Sequence, residues 1–210
     1  MVKAVVFDLD GTLIDAFDGI HDALTHTMRA LGFSPHPFAT TKRMVGHGLE
    51  ELLARAMRPE VVNEAVPIYR ARYKEIAVAT AKPLPGADRL LRALVGRGVG
   101  LALASNKPSY FSQQILDGLG WGACFRAVLG PDVVGKPKPA PIMLETALEQ
   151  LAVCAADALY VGDMTVDLET ARAAKVRAVL VTTGSMSAEE LRAAGAEIVV
   201  ASLDEALPYT

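Results

Sequence analysis

The chain has 210 residues, a formal net charge of −3 and 51% hydrophobic residues. This balance is ordinary for a globular protein and lacks the basic excess or Lys/Arg-rich arm of a nucleic-acid-binding protein, so no nucleic-acid partner is expected. No stretch is long and apolar enough to predict a transmembrane helix, and no membrane partner is expected. Cys124 and Cys154 lack metal-ligand spacing and are predicted to be reduced, packed thiols of a cytoplasmic protein.

The first predicted element is a short buried strand over residues 4–7. This apolar run leads directly onto Asp8, and Asp10 follows two residues later, just before Gly11 and Thr12. Residues two apart in an extended chain point to the same side, so both carboxylates are expected together where the strand ends. Because two carboxylates this close repel each other, a cation is expected beside them.

The segment over residues 15–82 is predicted to be helical. Apolar residues recur every three or four positions over residues 16–31, 49–57 and 59–78, which predicts three helices. A loop containing Val45-Gly46-His47-Gly48 leads into the second of them. Since no convincing strand pattern occurs in this segment, we interpret it as a helical block inserted into another domain.

After a Pro- and Gly-containing linker at residues 82–86, predicted strands and helices alternate along the chain. The strands are expected at residues 99–104, 125–129, 158–161, 176–181 and 197–200. Such alternation predicts an α/β fold with a Rossmann-like parallel sheet and helices on both faces. The α/β core would comprise residues 1–14 and 83–210, interrupted by the helical block over residues 15–82.

Polar side chains follow the predicted strands at the edge where parallel strands end. Besides the first two acids, they are Ser105 and Asn106, Lys136 in a Lys-Pro-Lys-Pro-Ala-Pro run, and Asp163 and Asp167. Carboxylate oxygens suit Mg²⁺, and lysine suits a phosphate or an aspartyl nucleophile. Ser105 and the N–H groups of the following helix are predicted to form an anion site. These are the parts required for phosphoryl transfer.

The chain resembles the haloacid dehalogenase-like hydrolase superfamily, whose four motifs match in order. The matching stretches are Asp8-Leu9-Asp10-Gly11-Thr12, Ser105-Asn106, Lys136 with its prolines, and Gly162-Asp163-Met164-Thr165-Val166-Asp167. The helical insert resembles that family's small cap, which would close over the site and select the substrate. Within the family, the loop around Gly46 and the Ser-Asn-Lys-Pro motif are most similar to phosphoglycolate phosphatases.

The resemblance implies a role for each matching residue. Asp8 would be the nucleophile and Asp10 the general acid and base. Asp8, the backbone carbonyl of Asp10 and Asp163 would hold Mg²⁺, and Asp167 would support the metal through water or by orienting a ligand.

Lys136 would stabilise the charge on the nucleophile and the phosphate. Spacing alone does not separate it from Lys138, but the family pattern selects Lys136, which opens the proline run. Ser105 would bind the phosphoryl group.

A further set of residues is expected to contact the substrate. Thr12 and Asn106 belong to the matched motifs, while Arg43, Gly46 and His47 lie in or beside the loop of the cap.

The predicted function is that of a Mg²⁺-dependent phosphatase acting on a small phosphorylated metabolite, with phosphoglycolate the first candidate. A sugar-phosphate mutase or a pyrophosphatase on the same core is an alternative, as is a catalytically silent binding or regulatory protein. A dehalogenase is disfavoured, because that chemistry does not require the second carboxylate, Asp10. The protein is expected to be a monomer or homodimer.

Overall fold

The structure is a computed structural model that describes residues 2–210. Its strands are β1 (Ala4–Phe7), β2 (Ile14–Asp15), β3 (Lys82–Pro83), β4 (Gly100–Ala104), β5 (Ala127–Leu129), β6 (Ala158–Gly162), β7 (Arg177–Val181) and β8 (Val199–Val200). Its helices are α1 (Phe17–Ala30), α2 (Phe38–Met44), α3 (Leu49–Ala56), α4 (Val62–Thr80), α5 (Ala87–Gly96), α6 (Ser109–Gly118), α7 (Pro131–Val134), α8 (Ile142–Leu151), α9 (Thr165–Ala173), α10 (Ala188–Ala193) and α11 (Leu203–Ala206).

Six of the strands form one sheet in the order β5-β4-β1-β6-β7-β8, and all its pairings are parallel. The last residue of β1, Phe7, pairs with Leu103 of β4 and with Val161 of β6. The residues that follow these three strands therefore leave the sheet at the same edge. This arrangement confirms the predicted parallel α/β fold and brings the three polar motifs together.

The central strand β1 is fully buried because both faces of the sheet are covered. Val5 and Phe7 belong to one apolar cluster, whereas Ala4 and Val6 belong to another. A strand with both faces covered has a continuously apolar sequence, which is why apolar and polar residues do not alternate along β1.

The inserted segment holds α1 to α4, with α1 packed along α4. The chain enters it through β2 and leaves it through β3, which pair antiparallel, with Ile14 opposite Pro83 and Asp15 opposite Lys82. This two-stranded link lies at the boundary predicted from the sequence. The division into a core (residues 1–14 and 83–210) and a cap (15–82) remains our interpretation, and "cap" refers below to that segment.

One helix was not predicted, and one local prediction is corrected. The stretch before Val45, which lacks a helical apolar pattern, contains α2, of which Thr41 alone is buried; it begins directly after Pro37. Cys154 is exposed, so it is not a packed thiol, while Cys124 is partly buried. Within residues 2–210, no helix has both the length and the apolar character required to cross a membrane.

Candidate active site

The Asp8 carboxylate is the centre of the polar cluster at the edge of the sheet. Asp8 is 6% exposed and follows the buried strand β1 directly. Burial raises the pKa of Asp8 to about 6, an effect that the Lys138 ammonium opposes and the Asp167 charge reinforces. The neighbouring Ser105 hydroxyl also lowers this pKa. Asp8 is therefore a buried carboxylate kept close to a cation.

The lysine that reaches this carboxylate is Lys138. Its Nζ lies 3.0 Å from Asp8 Oδ1, 2.7 Å from Asp167 Oδ1 and 3.1 Å from the Tyr160 hydroxyl, and the residue is 3% exposed. Burial alone would lower the pKa of Lys138, but the Asp167 and Asp8 carboxylates together raise it well above its usual value. Lys138 is therefore a permanent cation beside Asp8.

Lys136, the lysine selected from the sequence, is exposed on the loop after α7. The reason is a backbone clamp two residues further on. Asn106 Oδ1 accepts a hydrogen bond from the Lys138 backbone N–H at 2.7 Å, and Asn106 Nδ2 donates to the Lys138 carbonyl at 3.3 Å. This clamp fixes Lys138 at the edge of the sheet. The structure thus corrects the assignment of the lysine from Lys136 to Lys138.

A second buried carboxylate, Asp163, lies beside Asp8 at the end of β6. The Thr12 hydroxyl donates to Asp163 Oδ1 at 3.0 Å. Burial raises the pKa of Asp163 well above its usual value, and the charges of Asp167 and Asp8 add to this effect. Thr12 is fully buried, so it orients Asp163 and is not the substrate contact expected from the sequence.

Two glycines leave the space that the Asp163 carboxylate occupies. A Cβ on Gly184 would lie 1.7 Å from Asp163 Oδ2, and one on Gly11 would lie 2.6 Å from the same atom. Gly11 also has a φ of +82°, which favours glycine. Any side chain at Gly184 would therefore displace this carboxylate.

Asp167 orients its neighbours. Its Oδ1 accepts from Lys138 Nζ, and its Oδ2 accepts from the backbone N–H groups of Asp163 and Met164 at 3.1 and 3.0 Å. Because these hydrogen bonds use both oxygens, Asp167 supports the cluster through Lys138 and through the backbone at the start of α9.

The donor set fits a divalent cation. Oxygens of Asp8, Asp163 and Asp167 lie within 4.8 Å of one another and are buried. The four motif carboxylates face two buried lysines, Lys138 and Lys107, which leaves two negative charges uncompensated when all six groups are ionised. Hard oxygen ligands with this surplus suit Mg²⁺. Since both oxygens of Asp167 already accept hydrogen bonds, the carboxylates of Asp8 and Asp163 are the ones available to bind the cation.

Asp10 points away from this cluster toward the cap. Its Oδ2 lies 2.8 Å from Lys107 Nζ, and its Oδ1 is buried with no hydrogen-bond partner among residues 2–210. The Asp10 side chain is therefore not part of the cluster of three carboxylates that could hold a metal ion. A contribution through its backbone carbonyl stays a prediction.

A cavity of about 60 Å³ lies between this edge of the sheet and the cap. Its core wall includes Asp8, Asp10, Ser105, Asn106 and Lys107. The cap contributes a mainly apolar wall of Ile20, Val45, Gly46, Gly48, Leu49, Leu52, Tyr69 and Tyr73. A molecule bound to Asp8 would thus meet polar groups on one side and apolar groups on the other.

The remaining predicted substrate contacts fall into three groups. Gly46 lines the cavity, and its carbonyl accepts a hydrogen bond from Asn106 Nδ2 at 2.9 Å. Asn106 lines the cavity too, but its amide is engaged by Gly46 and Lys138. Arg43 is exposed, and in the described part of the chain neither Arg43 nor His47 lines the cavity. These two assignments are therefore corrected for this cavity.

The predicted anion site is also modified. Ser105 is buried and lines the cavity, as its proposed contact with phosphate requires. The first N–H of α6, however, donates to Asp132 at 2.8 Å, and the Ser109 hydroxyl donates to the same carboxylate at 2.6 Å. Asp132 thus occupies the N-terminus of α6 in place of a ligand.

Three functional positions were missed from the sequence: Lys107, Tyr160 and Gly184. Lys107 follows the Ser-Asn motif directly, and that adjacency is a usable signal. Tyr160 lies in a buried strand, where its hydroxyl requires partners; it accepts from Lys138 and donates to the Ala104 carbonyl at 2.8 Å. Gly184 follows β7 at the same edge of the sheet, but nothing local marks it as a contact of Asp163.

Comparison with known proteins places this site in context. The family model for haloacid dehalogenase-like hydrolases matches residues 5–181. A phosphoglycolate phosphatase of Rhodospirillum rubrum is 38% identical over 195 residues, covering 88% of this chain and 81% of that protein. One from Aquifex aeolicus is 34% identical over 183 residues, covering 87% and 86%. The crystal structure of a predicted phosphatase from Clostridium acetobutylicum superposes with a TM-score of 0.90 at 29% identity, covering 100% of this chain and 98% of that one.

Proposed function

The chain belongs to the haloacid dehalogenase-like hydrolase family and is a phosphatase, and we propose that it hydrolyses phosphoglycolate through an aspartyl-phosphate formed on Asp8. The main support for this mechanism is the set of groups that surround Asp8. The buried Lys138 lies 3.0 Å from the Asp8 carboxylate, which clusters with Asp163 and Asp167, whereas Asp10 lines the same cavity outside that cluster. One acid thus has the surroundings of a nucleophile and the other those of a proton carrier.

The first step transfers the phosphoryl group. A carboxylate oxygen of Asp8 attacks phosphorus while the bond from phosphorus to the alcohol oxygen breaks, and Asp10 gives its proton to that oxygen. In the second step Asp10 takes a proton from water, whose oxygen attacks phosphorus and releases phosphate from Asp8. Lys138 stabilises negative charge on the transferring oxygens throughout, and Ser105 is expected to hydrogen-bond to one of them.

The residues that would hold Mg²⁺ are Asp8 and Asp163, with Asp167 fixing Lys138 and the Asp163 backbone. The ion supplies positive charge to the phosphate oxygens when it is bound. Thr12, Gly11 and Gly184 keep the Asp163 carboxylate oriented toward this position.

The relatives and the cavity support a small substrate. The phosphoglycolate phosphatases of R. rubrum and A. aeolicus are similar over most of this chain. The cavity between Asp8 and the cap is about 60 Å³, which favours a small substrate.

The alternatives receive less support. Among the described residues, the side chains by which the cap lines the cavity are aliphatic apart from two tyrosines, Tyr69 and Tyr73, whereas a sugar phosphate would require several hydrogen-bonding partners. The intact cluster of Asp8, Lys138 and Asp163 argues against a silent binding protein. A cytoplasmic location and a monomeric or homodimeric state stay predictions.

The proposal is tested by measuring phosphate release from a panel of esters with Mg²⁺ and with EDTA. We expect the highest kcat/KM for phosphoglycolate, lower values for hexose phosphates and pyrophosphate, and no turnover in EDTA. Asp8→Asn should form no covalent phosphoenzyme after quenching with labelled substrate. A preference for a hexose phosphate would refute the assigned substrate, and wild-type turnover by Asp8→Asn would refute the nucleophile.

A further inference from the structure

Lys107 joins the core to the cap at the side of Asp10. Its ammonium lies 2.8 Å from Asp10 Oδ2 and donates to the Tyr73 hydroxyl at 2.8 Å. The ammonium also lies 4.5 Å from the centroid of the Tyr73 ring, over its face. The Lys107 side chain is 6% exposed, so these contacts replace most of its hydration.

The two partners of Lys107 belong to different parts of the fold. Asp10 follows β1 in the core, whereas Tyr73 lies in α4 of the cap. Tyr73 is 1% exposed, stacked on Tyr69 and packed edge-on against Phe111, so its hydroxyl is fixed relative to α4. The lysine therefore has both of its partners in place only while the cap lies against the core.

Because of this contact, the two carboxylate oxygens of Asp10 have different surroundings. Its Oδ2 is held by Lys107, while Oδ1 is buried without a partner and the residue lines the substrate cavity. A proton donor must present one oxygen to the leaving group at hydrogen-bond distance, so fixing the other oxygen also fixes the orientation of the carboxyl group.

We propose that Lys107 is a positioning residue that orients the Asp10 carboxyl group for proton transfer, and that the Tyr73 hydroxyl makes this orientation depend on contact between cap and core. The inference rests on the proposed function, because it concerns the general acid of that reaction. Proton donation is thereby coupled to closure of the cavity, since separation of the cap from the core removes one of the two anchors of Lys107.

The test compares two esters of similar size that differ in their need for a proton donor. Ethyl phosphate releases a poorly acidic alcohol, whereas 2,2,2-trifluoroethyl phosphate releases a more acidic one and requires less protonation. The quantity measured is kcat/KM, which covers the steps up to release of the alcohol. For Lys107→Met we expect a loss of about 10- to 100-fold on ethyl phosphate and less than about threefold on the trifluoroethyl ester.

Three further variants separate positioning from folding. Tyr73→Phe keeps the ring and removes the hydroxyl, and it should show the same selective loss at about 3- to 10-fold. Lys107→Arg keeps the charge and should recover part of the activity on ethyl phosphate. Lys74→Met, at an exposed lysine next to Tyr73 in α4, should leave both values unchanged. If Lys107→Met does not fold, the comparison of the two esters with Tyr73→Phe decides the question.

Each other outcome contradicts the inference. Equal losses on both esters would indicate a merely structural role. Phosphoglycolate is measured alongside, and a loss on it with both ethyl esters unaffected would indicate a contact with the substrate carboxylate. If the wild-type protein is active and Lys107→Met has the same kcat/KM on both esters as wild type, the positioning role is refuted and the proposed function stands. A wild-type protein that releases phosphate from no ester with Mg²⁺ would refute both.

Discussion

Burial of Asp8, the proposed nucleophile, should destabilise the metal-free protein as the pH rises from about 4 to about 6. The pKa of Asp8 in the folded protein is about 6, compared with an ordinary value of 3.8, because burial disfavours the charged form. The folded state therefore binds this proton more tightly than the unfolded state does, and the free energy of unfolding falls as the pH rises through this range. Replacing Asp8 with Asn removes the charge and with it the pH-dependent loss.

The magnitude follows from the difference between the two pKa values. At about 1.4 kcal/mol per pKa unit, the change from 3.8 to about 6 corresponds to about 3 kcal/mol at pH 8. For a chain of this size, that difference raises the melting temperature by about 6–12 °C. Lys138 keeps Asp167 as a partner at 2.7 Å, so the variant does not leave the lysine without a counter-charge.

The assay is urea unfolding of wild type and Asp8→Asn in EDTA, at several values between pH 4 and pH 8. The difference in unfolding free energy should be less than about 1 kcal/mol at pH 4 and grow to about 3 kcal/mol at pH 8. Glu149→Gln, at an exposed acid, is the matched control and should follow wild type. Parallel curves for wild type and Asp8→Asn would refute the argument that burial of Asp8 is destabilising.

Three further predictions concern the lysine, the metal and pH. Lys138→Met should lower kcat by about 100- to 1000-fold, whereas Lys136→Met should be active, and similar losses in both would contradict the corrected assignment. Gly184→Ala should displace Asp163 and weaken Mg²⁺ affinity about 10- to 100-fold by calorimetry, whereas the uncrowded Gly96→Ala should not. Because burial raises the pKa of Asp163, stabilisation by Mg²⁺ in thermal melts should be larger at pH 8 than at pH 5.5, and equal shifts would contradict this.

The sequence allows the edge of the sheet to be predicted because that prediction requires only local information. A buried strand followed by Asp8, a second followed by Ser105 and a third followed by Asp163 define one edge as soon as the sheet is parallel. The register confirms this, since β1 pairs with both other strands. Tyr160 and Gly184 were not identified because their contacts are distant in the chain. Tyr160 contacts Lys138, 22 residues away, and Ala104, 56 residues away, while Gly184 contacts Asp163 from beyond the next strand.

The choice between Lys136 and Lys138 shows why spacing is insufficient. Both residues precede a proline in the same loop, and no periodic structure determines which side chain turns inward. Asn106, 32 residues away, determines that Lys138 is the lysine at the site. Its side-chain amide hydrogen-bonds to both the backbone N–H and the carbonyl of Lys138. A contact of this range depends on the tertiary structure and leaves no local pattern.

The cap was predictable as helices but not as the wall of a site. The apolar stripes of α1, α3 and α4 predict buried faces, yet they do not indicate which residues face the core and which face another helix. The wall combines Ile20, Leu52 and Tyr73, one from each of these helices. Helix α2 has no such stripe, so its existence depends on tertiary contacts.

The loop after β4 connects these separate parts of the site. Ser105 lines the cavity together with Asp8, Asn106 holds the backbone of Lys138, and Lys107 holds Asp10. Two of these three consecutive residues also contact the cap, through the Gly46 carbonyl and the Tyr73 hydroxyl. A displacement of the cap therefore acts first on the residues that orient Lys138 and Asp10, while Ser105 and Asp8 keep partners within the core. Asp8, the proposed nucleophile, is thus anchored by the sheet, whereas the groups proposed to assist it are held jointly by the sheet and the cap.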